Sequence, residues 1–345
     1  MDIEGWDLTF RREGTFEAKL TRPPYSTEDL SLYENALKEC KYVDSTEFTD
    51  CLSALSKGDE EPVIMLLLLS LPNLEHLRFV SAGILDGADI FRCVIDELPI
   101  QVLTRLETVH LQASNDELDR DYGDFEVLAH LCSLPSMKEA SFDRFASDST
   151  EFEEFHRLDP YINIPVENMT FSHCAIGSKN LFEFLSRCYN LTTFYYSPGP
   201  EGYNTELYSP FWIRAALQTH CKDTLKHLSI VSKDQPQSFM GSLNAFKILE
   251  NVTTDLKLLI GQFDDTMRTL SEMLPPAIRK VNLYIAEDLE DHNLQELVDE
   301  MYMDETPELQ HINFIRPDRT MFPVCTRARE ECSEDWGPEA NSEAA

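Results

Sequence analysis

LPNLEHLRFV, residues 71–80, places apolar side chains at Leu74, Leu77 and Phe79, a spacing of i, i+3 and i+5 behind a Pro-Asn turn. The spacing returns at Leu106-Val109-Leu111, Met137-Ala140-Phe142, Val166-Met169-Phe171, Leu191-Phe194-Tyr196, Leu225-Leu228-Ile230, Ile278-Val281-Leu283 and Leu309-Ile312-Phe314. A ninth copy, Phe246-Leu249, is degenerate because Asn251 holds its last position. The starts at 74, 106, 137, 166, 191, 225, 246, 278 and 309 give a mean period of about 29 residues, so the chain is read first as a repeat array.

The physics of the spacing explains its return. The first apolar residue closes a turn, the next two point to one side of a short strand, and the residues between them point to the other. A single strand cannot bury its own apolar side; stacked parallel copies can, provided each repeat also carries the chain back to the start of the next strand. Apolar residues three and four apart mark those return segments as helices: 90–98, 125–131, 181–188, 213–217, 267–274 and 294–301. Ser178 and Asp264-Asp265 stand where helix caps belong. The expected class is α/β: a leucine-rich-repeat-like solenoid, a curved parallel sheet with helices on its convex side. A doubly wound sheet also alternates strand and helix, but it needs longer apolar strands and a glycine-rich turn, and the sequence has neither.

LSLPNLEHLRFVSAG (69–83), CYNLTTFYYSPG (188–199) and CKDTLKHLSIVS (221–232) resemble the divergent leucine-rich-repeat proteins of filamentous fungi, many of them F-box/LRR-type. The likeness spans about 62–317. Only Val166-x-x-Met169-x-Phe171-x-x-Cys174-x-Ile176 carries the full repeat consensus; the ladder position elsewhere holds Ala82, Ser114, Phe145, Gly199, Lys233, Ala286 or Pro317, which predicts irregular repeats. The resemblance implies a protein partner and, as an alternative role, substrate recognition within an SCF-type ubiquitin ligase through an SCF adaptor. No segment matches an F-box.

The first 60 residues lack the repeat and are read as an N-terminal cap, with a hairpin over 6–20 and helices over 27–41 and 46–57 that start at Ser26 and Asp44. Residues 61–317 form the repeat region, and 318–345 read as an acidic, disordered tail. Residues 143–165 and 197–210 interrupt the period and read as rim loops.

Composition bounds the function. Asp and Glu number 62 against 29 Lys and Arg, a net charge of −33, which argues against nucleic acid or an anionic membrane as partner. The opening MDIEGWDLTF lacks the basic and apolar regions of a secretory signal, so the expected address is cytoplasmic or nuclear. The apolar run 63–71 falls well short of the roughly 20 residues that span a bilayer and reads as a buried helix. Nine scattered cysteines without a CxxC pair predict reduced core residues rather than disulfides or zinc ligands, and the three Asn-x-Thr sequons read as chance.

The usual signatures of catalysis are missing: there is no phosphate-binding glycine loop, nucleophile elbow or zinc-binding helix. Asp119-x-Asp121-x-Gly123 is a poor calcium loop, because its glycine comes one place early and His130 stands where a glutamate is needed. Glu151-Phe-Glu-Glu offers paired carboxylates for a hydrolase, the least favoured reading in so acidic a chain. The expectation is therefore a non-enzymatic scaffold with no cofactor or metal.

Its recognition residues would be those that alternate with the core positions: His76, Arg78, His110, Gln112, Asn168, Thr170, Thr193, Tyr195, His227, Ser229, Lys280, Asn282, Tyr284, His311 and Asn313. The full outward set adds Val80, Thr108, Glu139, Ser141, Asp143, Ser172, Ser197, Val231 and Ile315; only Glu139 and Asp143 in it are acidic, while four of the nine histidines fall there. Strands disfavour Asp and Glu in any case, so the depletion has a bland reading as well as a functional one. Clustered imidazoles would make binding depend on pH between about 6 and 7.

Overall fold

The computed structural model describes residues 25–40, 45–57, 61–80, 103–112, 123–147, 163–199, 209–232, 239–261, 270–285, 308–316 and 321–325. The chain enters its first helix through a capping box. Ser26 Oγ accepts the Asp29 N–H at 3.1 Å, and the Asp29 carboxylate accepts the Ser26 N–H at 3.2 Å, which satisfies two donors that the start of α1 (Thr27–Glu39) leaves open. α1, α2 (Ser45–Ser56) and α3 (Glu61–Leu69) close on a small core of Leu37, Cys51, Leu55 and Leu66. Leu68 of α3 turns the other way, into the main core, so this helix joins the two clusters. The helical unit runs past the boundary set at residue 60. The hairpin expected over 6–20 and the cap at Asp44 lie outside the described residues.

Twelve strands follow among the described residues: β1 (His76–Val80), β2 (Thr108–Gln112), β3 (Gly123–Asp124), β4 (Glu139–Asp143), β5 (Phe145–Ala146), β6 (Asn168–Cys174), β7 (Thr193–Pro198), β8 (His227–Ile230), β9 (Asn251–Asp255), β10 (Lys280–Tyr284), β11 (His311–Ile315) and β12 (Met321–Cys325). Ten form one open sheet in the order β1-β2-β4-β6-β7-β8-β9-β10-β11-β12, and β3 pairs with β5. The first nine of the ten are parallel; β12 returns antiparallel to β11. Strand order follows chain order without the reversal that makes a doubly wound sheet, which removes that alternative. Residues 321–325, assigned to the tail, thus extend the sheet; residues 326–345 lie outside the described part.

Helices α4 (Phe125–Cys132), α5 (Ser178–Leu185), α6 (Pro210–His220), α7 (Leu256–Ile260) and α8 (Leu270–Met273) share one core with one side of the sheet. The return helices expected over 90–98 and 294–301, and the cap at 264–265, fall outside the described residues. Ser178 does not cap α5. Gly177 does, with no side-chain bond, and Ser178 Oγ instead accepts the Ser209 N–H at 2.7 Å, tying the start of α6 to the neighbouring helix.

Seven strands bury the inward residues that the apolar spacing picks out, and in β1 Leu77 and Phe79 are partly buried. Val109 and Leu111, Ala140 and Phe142, Met169 and Phe171, Phe194 and Tyr196, Leu228 and Ile230, Val281 and Leu283, and Ile312 and Phe314 are all buried. Aromatic rings stack between strands, Phe142 on Phe171 at 5.7 Å and Phe171 against Tyr196 at 6.1 Å. Tyr196 keeps its hydroxyl satisfied by donating to the Cys174 carbonyl at 3.1 Å.

One register departs from expectation. β9 pairs with β10 through Asn251–Lys280, Val252–Val281 and Thr254–Leu283, so the inward residues of this repeat are Val252 and Thr254, behind Leu249. The degenerate copy starts three positions later than the sequence reading placed it. Asn251 faces outward because Thr254 fills the place that elsewhere holds a large apolar side chain.

The interruption at 143–165 also holds structure. Arg144 (φ 65°), just after β4, and His173 (φ 53°), at the bulge near the end of β6, adopt left-handed backbone, a conformation costly for non-glycine residues. Each turn drives the next side chain inward: Phe145 and Cys174 are both fully buried. The Cys174 thiol donates toward the Ser172 carbonyl at 3.3 Å and receives the Phe145 N–H at 3.5 Å, and burial pushes its pKa up to about 12. It is a structural thiol.

Candidate functional site

The residues between the core positions form the opposite face of the sheet. Strand registers sort them into rows that run across the strands about 4.8 Å apart. The middle row reads Arg78, His110, Ser141, Thr170, Tyr195, Ser229, Thr253, Asn282 and Asn313, one residue from each of nine consecutive parallel strands. The row beside it reads His76, Thr108, Glu139, Asn168, Thr193, His227, Asn251, Lys280 and His311. Gln112 pairs with Asp143, and Tyr284 with Asp255, in a third row. Every candidate recognition residue named from the sequence lies on this face, exposed or half-buried. Ser197, a member of the wider outward set, is instead buried as β7 continues to Pro198.

The rows differ in chemistry along their length. At the β1 end, charges meet: burial, and then the Arg78 guanidinium, lower the pKa of His110 from its ordinary 6.5, opposed by Asp143 and Glu139. His110 is therefore harder to protonate than a free imidazole. Asp143 Oδ1 also meets His173 Nδ1 at 2.9 Å.

At the β11 end, the middle row becomes an amide ladder. Asn313 Nδ2 donates to Asn282 Oδ1 at 2.8 Å, and Asn282 Nδ2 donates to Thr253 Oγ1 at 3.0 Å. Asn251 Nδ2 lies 2.7 Å from His227 Nδ1 in the adjacent row. Between the two ends, Tyr195 stands alone as the large side chain, flanked in register by the small hydroxyls of Thr170 and Ser229.

Two groups of residues escaped the sequence reading. Asn251, Thr253 and Asp255 were hidden by the misplaced repeat start; Leu249-x-x-Val252-x-Thr254 would have placed them had threonine been admitted as a core residue. The Asp143–His173 pair was hidden by the bulge between Phe171 and Cys174, which shifts the β6–β7 register and which no spacing rule anticipates. Among the described residues, the His173 ring is held by the Asp143 carboxylate. No group of three or more His, Cys, Asp or Glu among the described residues is arranged to hold a metal ion, and no described helix is long and apolar enough to cross a membrane. Glu151-Phe-Glu-Glu and Asp119-x-Asp121 lie outside the described residues.

Neither a protein-family model nor a curated protein sequence matches this chain.

Proposed function

We propose that the chain is an irregular leucine-rich-repeat-like solenoid and that the outward face of its sheet recognises a protein partner, without catalysis. The observation that carries this reading is the middle row: one side chain from each of nine parallel strands, ordered as in the sequence, on a polar face. Stacked repeats present such rows on the concave side, a long surface whose side chains are held by backbone pairing. The acidic charge of the chain falls mainly elsewhere. In the two complete rows the only carboxylate is Glu139, against Arg78, Lys280 and four histidines. Tyr195 and Arg78 are the residue types that dominate binding energy at interfaces.

The test is quantitative affinity purification with the wild-type chain and with Arg78→Ala/Tyr195→Ala. Specific partners should fall by tenfold or more in the double variant while its thermal midpoint stays within about 2 °C of wild type, because both side chains project from the sheet rather than into the core. Partners retained at wild-type abundance would overturn the reading.

A second reading, a substrate receptor of an SCF-type ligase, draws on the helical unit α1–α3. Its separate core, ahead of the first strand, gives an adaptor a docking place distinct from the sheet face. Calorimetric titration of the purified chain with the SCF adaptor tests it, and an absence of binding at micromolar concentrations dismisses it.

A further inference from the structure

The ends of β4 and β6 repeat one strained turn in consecutive repeats. Arg144 (φ 65°) and His173 (φ 53°) are the two left-handed non-glycine residues among those described, and the chain beyond each runs on side by side. The Arg144 N–H donates to the Ser172 carbonyl at 2.9 Å, the Ala175 N–H to the Phe145 carbonyl at 2.7 Å, and the Ser147 N–H to the Ala175 carbonyl at 3.2 Å. The Cys174 carbonyl then accepts the Tyr196 hydroxyl at 3.1 Å and the Gly199 N–H at 3.0 Å. The turn at His173 therefore sets the end of β7 as well as that of β6. Left-handed backbone outside glycine persists where the surroundings hold it, so the contacts around these two residues decide how firmly this rim is fixed.

One side-chain contact spans the two turns. Asp143 Oδ1, one residue before the first, lies 2.9 Å from Nδ1 of His173, the second; the imidazole side chain is 40% exposed and so exchanges protons with solvent. Such a contact has two strengths. An imidazolium facing a carboxylate makes a charge-assisted hydrogen bond, about twice as strong as the bond of a neutral ring. The titratable and charged neighbours are Arg78 of β1, His110 of β2, Glu139 of β4 and Arg144, with the Cys174 thiol buried beneath and Asp124 of β3 paired through its backbone to Ala146. Among these only His110 shares the titration range of an imidazole, and burial makes it harder to protonate.

We propose that the Asp143–His173 contact is a proton-operated clasp: with His173 charged it holds the two left-handed turns, and with them the rim from β4 to β7, in one geometry, and with His173 neutral the turns open more often. The rim is thus tightest in acid and loosens as pH rises through the titration of the imidazole. The device is built into the fold and operates without a partner, so it does not depend on the role proposed for the sheet face.

Amide hydrogen exchange on the full chain, between about pH 5.5 and pH 8 and corrected for the intrinsic rate at each pH, reads the clasp directly. The Arg144 and Ala175 amides should open about fivefold more often at the upper pH than at the lower, measured against the His227 amide, which donates to the Thr192 carbonyl on strands away from the clasp. His173→Asn, which tolerates left-handed backbone and does not titrate, should abolish that dependence, and Asp143→Asn should do the same. His110→Gln should leave it in place. Opening of Arg144 and Ala175 that tracks the His227 amide at every pH in the wild-type chain overturns the proposal whether or not the variants fold. So does a pH response that survives in His173→Asn, or one that disappears in His110→Gln.

Discussion

Asp255 ends β9 and caps α7, and it shows how a polar side chain on the sheet face can oppose folding. Its carboxylate accepts the Ser232 N–H at 2.6 Å, yet burial outweighs that bond and raises its pKa from 3.8 to about 6. A folded state that holds the proton more tightly than the unfolded chain gains stability at low pH and loses it as pH rises from about 4 to about 6; above that, the ionised carboxylate costs on the order of 1 to 3 kcal/mol. Asp255→Asn keeps an acceptor for Ser232 and removes the charge. Chemical denaturation should find the variant more stable than wild type at pH 7, with the difference vanishing near pH 4. A difference that does not change with pH would show that Asp255 titrates normally. Nothing at this position announced such behaviour in the sequence, because burial at the end of β9 follows from the register that pairs Asp255 with Tyr284.

β9 is the strand in which local pattern and tertiary pairing disagree. Its neighbours β8 and β10 place Ile230 and Leu283 in the core beside Thr254, whose Oγ1 is buried with no hydrogen-bond partner. An unmet buried hydroxyl costs about 1 to 3 kcal/mol, so Thr254→Val, which keeps shape and removes the polar atom, should raise stability by about 1 kcal/mol. An upward shift of the urea midpoint at unchanged slope is the expected result; a lower midpoint would mean that the hydroxyl has a partner in solution.

The other parallel strands of the large sheet were legible because two inward apolar residues per strand are enough to fix the face and register of five residues, whereas the two-residue strands β3 and β5 carry no such spacing. Strand β12 was not, since pairing with the edge of a sheet needs no apolar spacing in the strand that is added. α1 was legible from its capping box, whereas the cap of α5 was misread because a serine beside a glycine gives two positions for one role.

Across the whole molecule, the sequence carried the parallel sheet and the sidedness of its residues, and the coordinates add the connections between them. The amide ladder and the Asp143–His173 pair arise from residues about one repeat or more apart and could not be read from neighbours in the chain. The charge distribution sets the sheet face apart: its two complete rows carry one carboxylate, on a chain of −33.

The claim that the polar sheet face is the recognition surface is tested most directly by photocrosslinking from its centre. p-Benzoylphenylalanine placed at Tyr195 should form a covalent adduct with a discrete partner protein, and the same group at Lys247, an exposed residue outside the strands, should not. Adducts from Lys247 with none from Tyr195, or equal yields from both, would contradict the account.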